Sequence, residues 1–159
     1  MQTDVWNILD TCAFFTQMHP NGKIATVKNI EDEIINRQSK QYYSNLKSKG
    51  LKIIEPGTES LDFIKEKAKE TGDLDVLSLT DIKILALGYE LQGTIISDDF
   101  AIQNVSLYNG LKVISCSGKK IKEIRIWKYR CSACKLVINE KSETCSICGS
   151  SDIFRIKAK

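Results

Sequence analysis

Four cysteines form two Cys-x-x-Cys pairs, Cys131-Ser132-Ala133-Cys134 and Cys145-Ser146-Ile147-Cys148, with ten residues between them. Each pair makes a tight knuckle that turns two sulfurs toward one ion, and two knuckles complete the tetrahedron of a four-thiolate zinc site. Such a site keeps no open position, so its single zinc ion is structural and performs no chemistry on a substrate. Gly149 suits the knuckle turn, and Ile126-Trp127-Lys128-Tyr129 and Ile153-Phe154-Arg155-Ile156 read as the strands of a small zinc ribbon. Disulfides or a redox dithiol are the competing use. The spacing, together with the absence of a signal-peptide pattern at Met1-Gln2-Thr3-Asp4, favours metal in a reducing, cytoplasmic setting.

Carboxylates offer the second chemistry. Asp10 follows the strand candidate Val5-Trp6-Asn7-Ile8-Leu9, and Asp98-Asp99 follow another, Thr94-Ile95-Ile96-Ser97. Asp81 stands in the first turn of a helix opened by Ser78-Leu79-Thr80-Asp81. In an open parallel sheet, ligands bind at the carboxyl ends of the strands, so topology directs these acids to one edge. Oxygen ligands from separate segments suit Mg²⁺ or Mn²⁺, which keep waters that serve as the attacking hydroxide. A further acid comes from Glu31-Asp32-Glu33. The apolar face Val27/Ile30/Ile34 turns Asp32 outward, and periodicity leaves Glu31 and Glu33 equal. Each acid also has a purely structural use, as an N-cap or a capping-box partner; convergence on one edge is what favours metal. Cys12 and Cys116 fall in apolar elements and are expected to be buried, and His19 sits in a loop beside Pro20.

The elements that must carry these groups follow from hydrophobic periodicity. Val27 to Arg37 has a helical period, Tyr42 to Lys49 reads as a short helix, and Leu51 to Ile54 reads as a strand closed by Pro56-Gly57. Thr58 to Thr71 is an amphipathic helix stopped by Gly72. The helix after Ser78 is apolar nearly all round, and therefore central, until Gly93. A helix from Phe100 to Tyr108, the turn Asn109-Gly110 and a strand from Lys112 to Cys116 complete the alternation. The pattern predicts an α/β fold, a parallel sheet flanked by helices over residues 1–117, then a basic linker at 118–126 and the zinc ribbon at 127–159. Hydrophobic residues make up 42% of the chain, enough for a core, and no apolar run reaches the length of a membrane span.

Charge divides the same way. Residues 1–117 hold 12 Lys/Arg against 16 Asp/Glu, a net of −4, while residues 118–159 hold 11 against 4, a net of +7. Lys119, Lys120, Lys122, Arg125, Lys128 and Arg130 crowd the boundary and the first ribbon strand, with Trp127 and Tyr129 interleaved. Cations that neutralise phosphates beside aromatics that stack on bases suit single-stranded RNA.

Ile8-Leu9-Asp10-Thr11-Cys12-Ala13-Phe14, a helix bearing an acid, Thr80-Asp81 opening a helix, and Ser97-Asp98-Asp99 together resemble the PIN-domain nucleases. The likeness narrows to their ribosome-maturation branch, the Nob-type endonucleases, in the short archaeal form. Glu33-Ile34-Ile35-Asn36-Arg37, Leu77-Ser78-Leu79-Thr80-Asp81-Ile82 and Asp98-Asp99-Phe100-Ala101-Ile102-Gln103-Asn104 are similar to that branch's signatures, and a PIN-like domain followed by a four-cysteine ribbon is its architecture. The resemblance implies that Asp10, Glu33, Asp81 and Asp99 are the metal-binding catalytic acids, with Asp98 and Ser97 auxiliary. It implies hydrolysis of precursor small-subunit (16S) ribosomal RNA to its mature 3′ end, with the small subunit, and assembly factors, as partners. Asn36 stands where the branch usually has Asp. A PIN-type toxin ribonuclease is a second reading, which the ribbon disfavours. A non-catalytic ribosome-assembly factor is a third, which retention of all four acids disfavours.

Overall fold

The computed structural model describes residues 4–158. Five strands make one parallel sheet: β1 (Trp6–Leu9), β2 (Lys23–Thr26), β3 (Lys52–Ile53), β4 (Thr94–Ile96) and β5 (Lys112–Ile114), in the order β3-β2-β1-β4-β5. Successive strands run outward from β1 on one side and the chain then returns to β4 on the other, so the order reverses between β1 and β4. Asn7 and Ile8 are shared by both registers, Asn7 paired with Ile24 of β2 and Thr94 of β4, and Ile8 with Ala25 and Ile95. The crevice at the carboxyl ends of β1 and β4 is thus the place where open α/β sheets bind ligands.

Among the described residues six α-helices accompany the sheet: α1 (Thr11–Thr16), α2 (Ile30–Glu33), α3 (Arg37–Ser48), α4 (Thr58–Thr71), α5 (Leu79–Glu90) and α6 (Phe100–Tyr108). The central helix is α5, as its all-round apolar pattern requires. It lies on β1 and β4 and is covered by α4, with Ile84, Leu85, Ala86 and Leu87 fully buried. The contiguous core runs from Ile8 to Leu111 and includes no residue of the C-terminal segment.

Two expectations change. The strand β2 replaces what periodicity left unassigned, and the helix expected over Val27–Arg37 breaks into α2 and the start of α3. The break has a local cause. Ile34 takes an extended backbone, and the Asn36 side chain accepts a bond from Ser39 N (2.8 Å), capping α3. Asn caps a helix as well as Asp does, so the departure from the branch's pattern at position 36 leaves this role intact.

The C-terminal segment is a second, antiparallel sheet of β6 (Trp127–Cys131), β7 (Val137–Ile138) and β8 (Ile153–Lys157), in the order β7-β6-β8. It docks on the turn after α4. Arg155 donates to Asp73 Oδ1 (2.6 Å) and to Gly72 O (2.9 Å), and the Tyr129 hydroxyl donates to Asp75 (2.9 Å). Asp73 is buried and also accepts from Thr71 Oγ1 and Asn104 Nδ2, so its carboxylate is well solvated by fixed donors. Gly72 ends α4 at φ +77°, and an added Cβ would lie 2.4 Å from Trp127 O. Left-handed strain and a clash with backbone therefore act together. Gly72→Ala is expected to cost roughly 2 kcal/mol or more, read as a lower denaturation midpoint in zinc-containing buffer.

Candidate active site and metal centres

The carboxyl end of β1 delivers Asp10, 5% exposed, into the crevice. Its Oδ1 accepts from Thr11 N (2.7 Å) as the cap of α1, and its Oδ2 accepts from the buried Ser97 hydroxyl (2.6 Å). Ser97 Oγ in turn accepts from Asp99 N (3.1 Å), so one hydroxyl joins the ends of β1 and β4. Burial pushes the Asp10 carboxyl up to about 6; the bonds from Ser97 and Thr11 oppose this, and the charges of Asp81 and Glu33 add to it. Asp81 is half-buried and completes the capping box of α5, its Oδ2 accepting from Ser78 N (2.8 Å). Burial raises its pKa, and the charge of Asp99 adds to the rise. Asp99 caps α6 through Oδ1, which accepts from Ala101 N and Ile102 N.

Glu31 and Glu33 have different surroundings. Glu31 is exposed; it accepts from the Tyr43 hydroxyl (2.6 Å) and pairs with Lys47, both of α3. Glu33 is half-buried, and its charge is felt at Asp10. With only four residues, α2 cannot hold its own place. Buried Ile30 and Ile34 anchor it from below, and Lys83 of α5 clamps it from the side through Asn29 Oδ1 (2.8 Å) and Glu55 (2.6 Å).

Asp10 thus feels the charges of Asp81 and Glu33, and Asp81 that of Asp99, though among the described residues the four do not bring their ligand oxygens within 4.8 Å of one another as those of a closed site do. Mutually repelling carboxylates held apart by caps fit a hard cation that keeps part of its water shell. Asp98 faces elsewhere. It accepts from Ser115 Oγ (2.6 Å) and Ser117 N (3.1 Å), on the β5 side of the loop. Burial opposes its ionisation, but those bonds hold its pKa below the usual carboxylate value.

The four ribbon cysteines bring their sulfurs within 4.8 Å of one another. Cys131 and Cys145 are buried, whereas Cys134 and Cys148 are exposed. Backbone N–H groups of Cys148 and Ile147 aimed at Cys145 push its thiol down to about 6, and those of Cys134 and Ala133 lower Cys131. Knuckle amides that favour thiolate are what a zinc-binding donor set needs.

The basic segment divides. Lys119, Lys120, Lys122 and Arg130 are exposed, and Arg125, Trp127 and Lys128 are half-buried. Tyr129 is buried with its hydroxyl on Asp75, so it presents no face for stacking. Arg155 covers the Trp127 ring at 4.2 Å, and the groove beside Trp127 is lined by charges of both signs, Glu66, Glu70 and Glu140 with Lys69 and Lys128. Two residues without a role in the sequence reading place this segment. Gln103 Nε2 donates to Ser97 O (3.2 Å) and Lys119 O (3.0 Å), while its Oε1 accepts from Ile121 N (2.9 Å). Asn104 binds Arg125 through both its N–H and its C=O. Residues 118–126 are therefore strapped along α6, with Lys119 one side chain from Ser97. Adjacent amides inside an otherwise apolar helix were the available signal.

A family model described as the PIN domain of ribonuclease matches residues 8–91. The chain is 34% identical over 146 residues to the endoribonuclease Nob1 of Pyrococcus abyssi, covering 90% of this chain and 89% of that one. It is 39% identical over 99 residues to the ribonuclease VapC1 of Thermoplasma acidophilum, covering 62% and 51%. It is 31% identical over 102 residues to the 20S-pre-rRNA D-site endonuclease NOB1 of Saccharomyces cerevisiae, covering 60% and 22%. The first of these alignments is too long to be confined to the parallel-sheet domain.

Proposed function

The chain belongs to the Nob1 endoribonucleases within the PIN-domain ribonuclease family, and from that premise we propose that it cuts precursor small-subunit ribosomal RNA to form the mature 3′ end. Asp10, Glu33, Asp81 and Asp99 are the residues that would hold Mg²⁺ or Mn²⁺, and the four ribbon cysteines one zinc ion. The observation that carries the reading is the Ser97 hydroxyl joining Asp10 and Asp99 at the point where the strand order reverses. The yeast relative's name supports the substrate, since that protein is called a pre-rRNA endonuclease.

A divalent ion held by these acids would supply Lewis-acid activation of water and neutralise charge developing on the phosphate. The chain's own part is positional. Thr11 N and Ser97 Oγ fix both oxygens of Asp10, the capping bonds fix Asp81 and Asp99, and Lys83 holds the element bearing Glu33. Lys119, Lys120 and Lys122 bring the RNA backbone beside Ser97, and Arg130 extends the basic surface onto the ribbon. Attack by water releases the 3′ oxygen, leaving 3′-hydroxyl and 5′-phosphate ends. The test is to map both ends of the products from an RNA spanning the small-subunit 3′ end. Cleavage at one site with these ends is expected; a 2′,3′-cyclic phosphate, or cuts scattered over unrelated RNA as for a toxin, would overturn the reading.

A second expectation concerns binding. Replacing Lys119, Lys120 and Lys122 by Ala removes three phosphate contacts, so RNA affinity should fall roughly tenfold or more at moderate salt. The slope of log affinity against log salt should flatten by about 2. Filter binding across a salt series checks both, and unchanged slope would place the RNA elsewhere.

A further inference from the structure

Cys12 and Cys116 are neither fully buried nor separate. Both are half-buried, and their sulfurs lie 3.2 Å apart, as close as the paired sulfurs of the ribbon at 3.4 and 3.6 Å. A carboxylate oxygen of Asp98 joins them, all three ligand atoms lying within 4.8 Å of one another. Among the described residues this is the one other such cluster besides the ribbon's. The three groups come from three different strand ends: Cys12 follows β1, Asp98 follows β4 and Cys116 follows β5. They occupy the reverse side of the loop that sends Asp99 toward the acidic crevice.

We propose that Cys12, Cys116 and Asp98 form a second metal site, distinct from both the ribbon and the acidic crevice, that takes a borderline-soft divalent ion such as zinc. The donor set decides the ion. Two sulfurs and one oxygen suit Zn²⁺ or Co²⁺ and are poor ligands for Mg²⁺ or Mn²⁺. Asp98 is already oriented: its Oδ1 is engaged by Ser115 Oγ and Ser117 N, which leaves Oδ2 for a ligand. Cys116 borders a cleft of about 450 Å³ shared with Met18, His19 and Tyr42, so the cluster has an entry path and room for water as a fourth ligand. An ion there would tie the ends of β1, β4 and β5 together and fix the loop carrying Asp98 and Asp99.

The test uses full-length protein, reduced and kept anaerobic, with zinc in the ribbon and excess Mg²⁺ to occupy oxygen sites. Co²⁺ is the probe, because thiolate-to-cobalt charge transfer reports sulfur ligands and Co²⁺ does not displace zinc from four thiolates. The expected result is a charge-transfer band saturating at one equivalent of Co²⁺. Cys116→Ser should weaken Co²⁺ binding by tenfold or more, and the shape-preserving Asp98→Asn should weaken it while leaving both thiols. No band in the parent protein, or a band unchanged in both variants, would overturn the proposal.

Discussion

Asp10→Asn is expected to abolish cleavage and, in the absence of divalent metal, to make the protein more stable. The loss of rate should reach at least about 10³-fold, since a metal ligand contributes several kcal/mol to the transition state and each 1.4 kcal/mol is tenfold. The gain in stability follows from burial. The folded pKa of Asp10 is raised from 3.8 to about 6, so the native state holds a proton that the unfolded chain has released between those values. Stability contributed by the neutral form is present below about pH 4, falls as pH rises through that window, and is wholly lost above about pH 6. Asn carries no charge to bury, so its advantage is largest above pH 6, on the order of 1–3 kcal/mol, and disappears near pH 4. Thermal unfolding of both proteins in chelator from pH 4 to 8 reads this directly. A variant less stable at every pH would show that the carboxylate is held for structure. The same shift predicts that apparent Mg²⁺ or Mn²⁺ affinity rises with pH up to about 6 and flattens beyond, because the ion competes with the proton on Asp10.

Stripping zinc from the four cysteines should unfold the ribbon while leaving the parallel-sheet domain intact. Apart from Cys131 and Cys145, Tyr129 is the one hydrophobic residue from β6 to β8 that is buried, so the segment lacks a core of its own. Zinc binding in such segments is worth about 10–16 kcal/mol, and that is their folding free energy. Cys134 and Cys148 are exposed, which gives a chelator access. With the metal gone, the bonds of Arg155 to Asp73 and of Tyr129 to Asp75 lose their geometry, and Asp73 is left buried without its cation. Hydrogen exchange should show residues 127–158 losing protection while β1, β4 and α5 keep theirs. Retained protection in β6 and β8 after complete zinc removal would contradict the account.

Local patterns made much of the fold legible. The capping box at Ser78 and Asp81, the apolar periodicity of α5 and the two knuckles each depend on residues near one another in sequence, and each stands where it was expected. What escaped depends on distant partners. β2 is four residues with a burial pattern that does not alternate, so it runs into the helical period that follows. The strap over residues 118–126 depends on Gln103 and Asn104 meeting a segment some twenty positions later, which no window reveals. Tyr129 reads as a stacking aromatic beside basic neighbours until Asp75 is seen to hold its hydroxyl. Physics alone left Glu31 and Glu33 equal. The resemblance favours Glu33, and Tyr43, twelve residues on, gives the two acids different surroundings by engaging Glu31.

That difference gives the most direct measurement of the central claim, which is that four specific carboxylates make one metal-dependent cleavage centre. Single-turnover cleavage of an RNA spanning the small-subunit 3′ end, with Mn²⁺ or with chelator, would compare the parent protein with Asp10→Asn, Glu33→Gln, Asp81→Asn, Asp99→Asn and Glu31→Gln. The account predicts cleavage only with metal, loss in the first four variants, and a rate within about threefold of the parent for Glu31→Gln, whose carboxylate is engaged by Tyr43 and Lys47. Cleavage in chelator, or Glu33→Gln as active as Glu31→Gln, would contradict it.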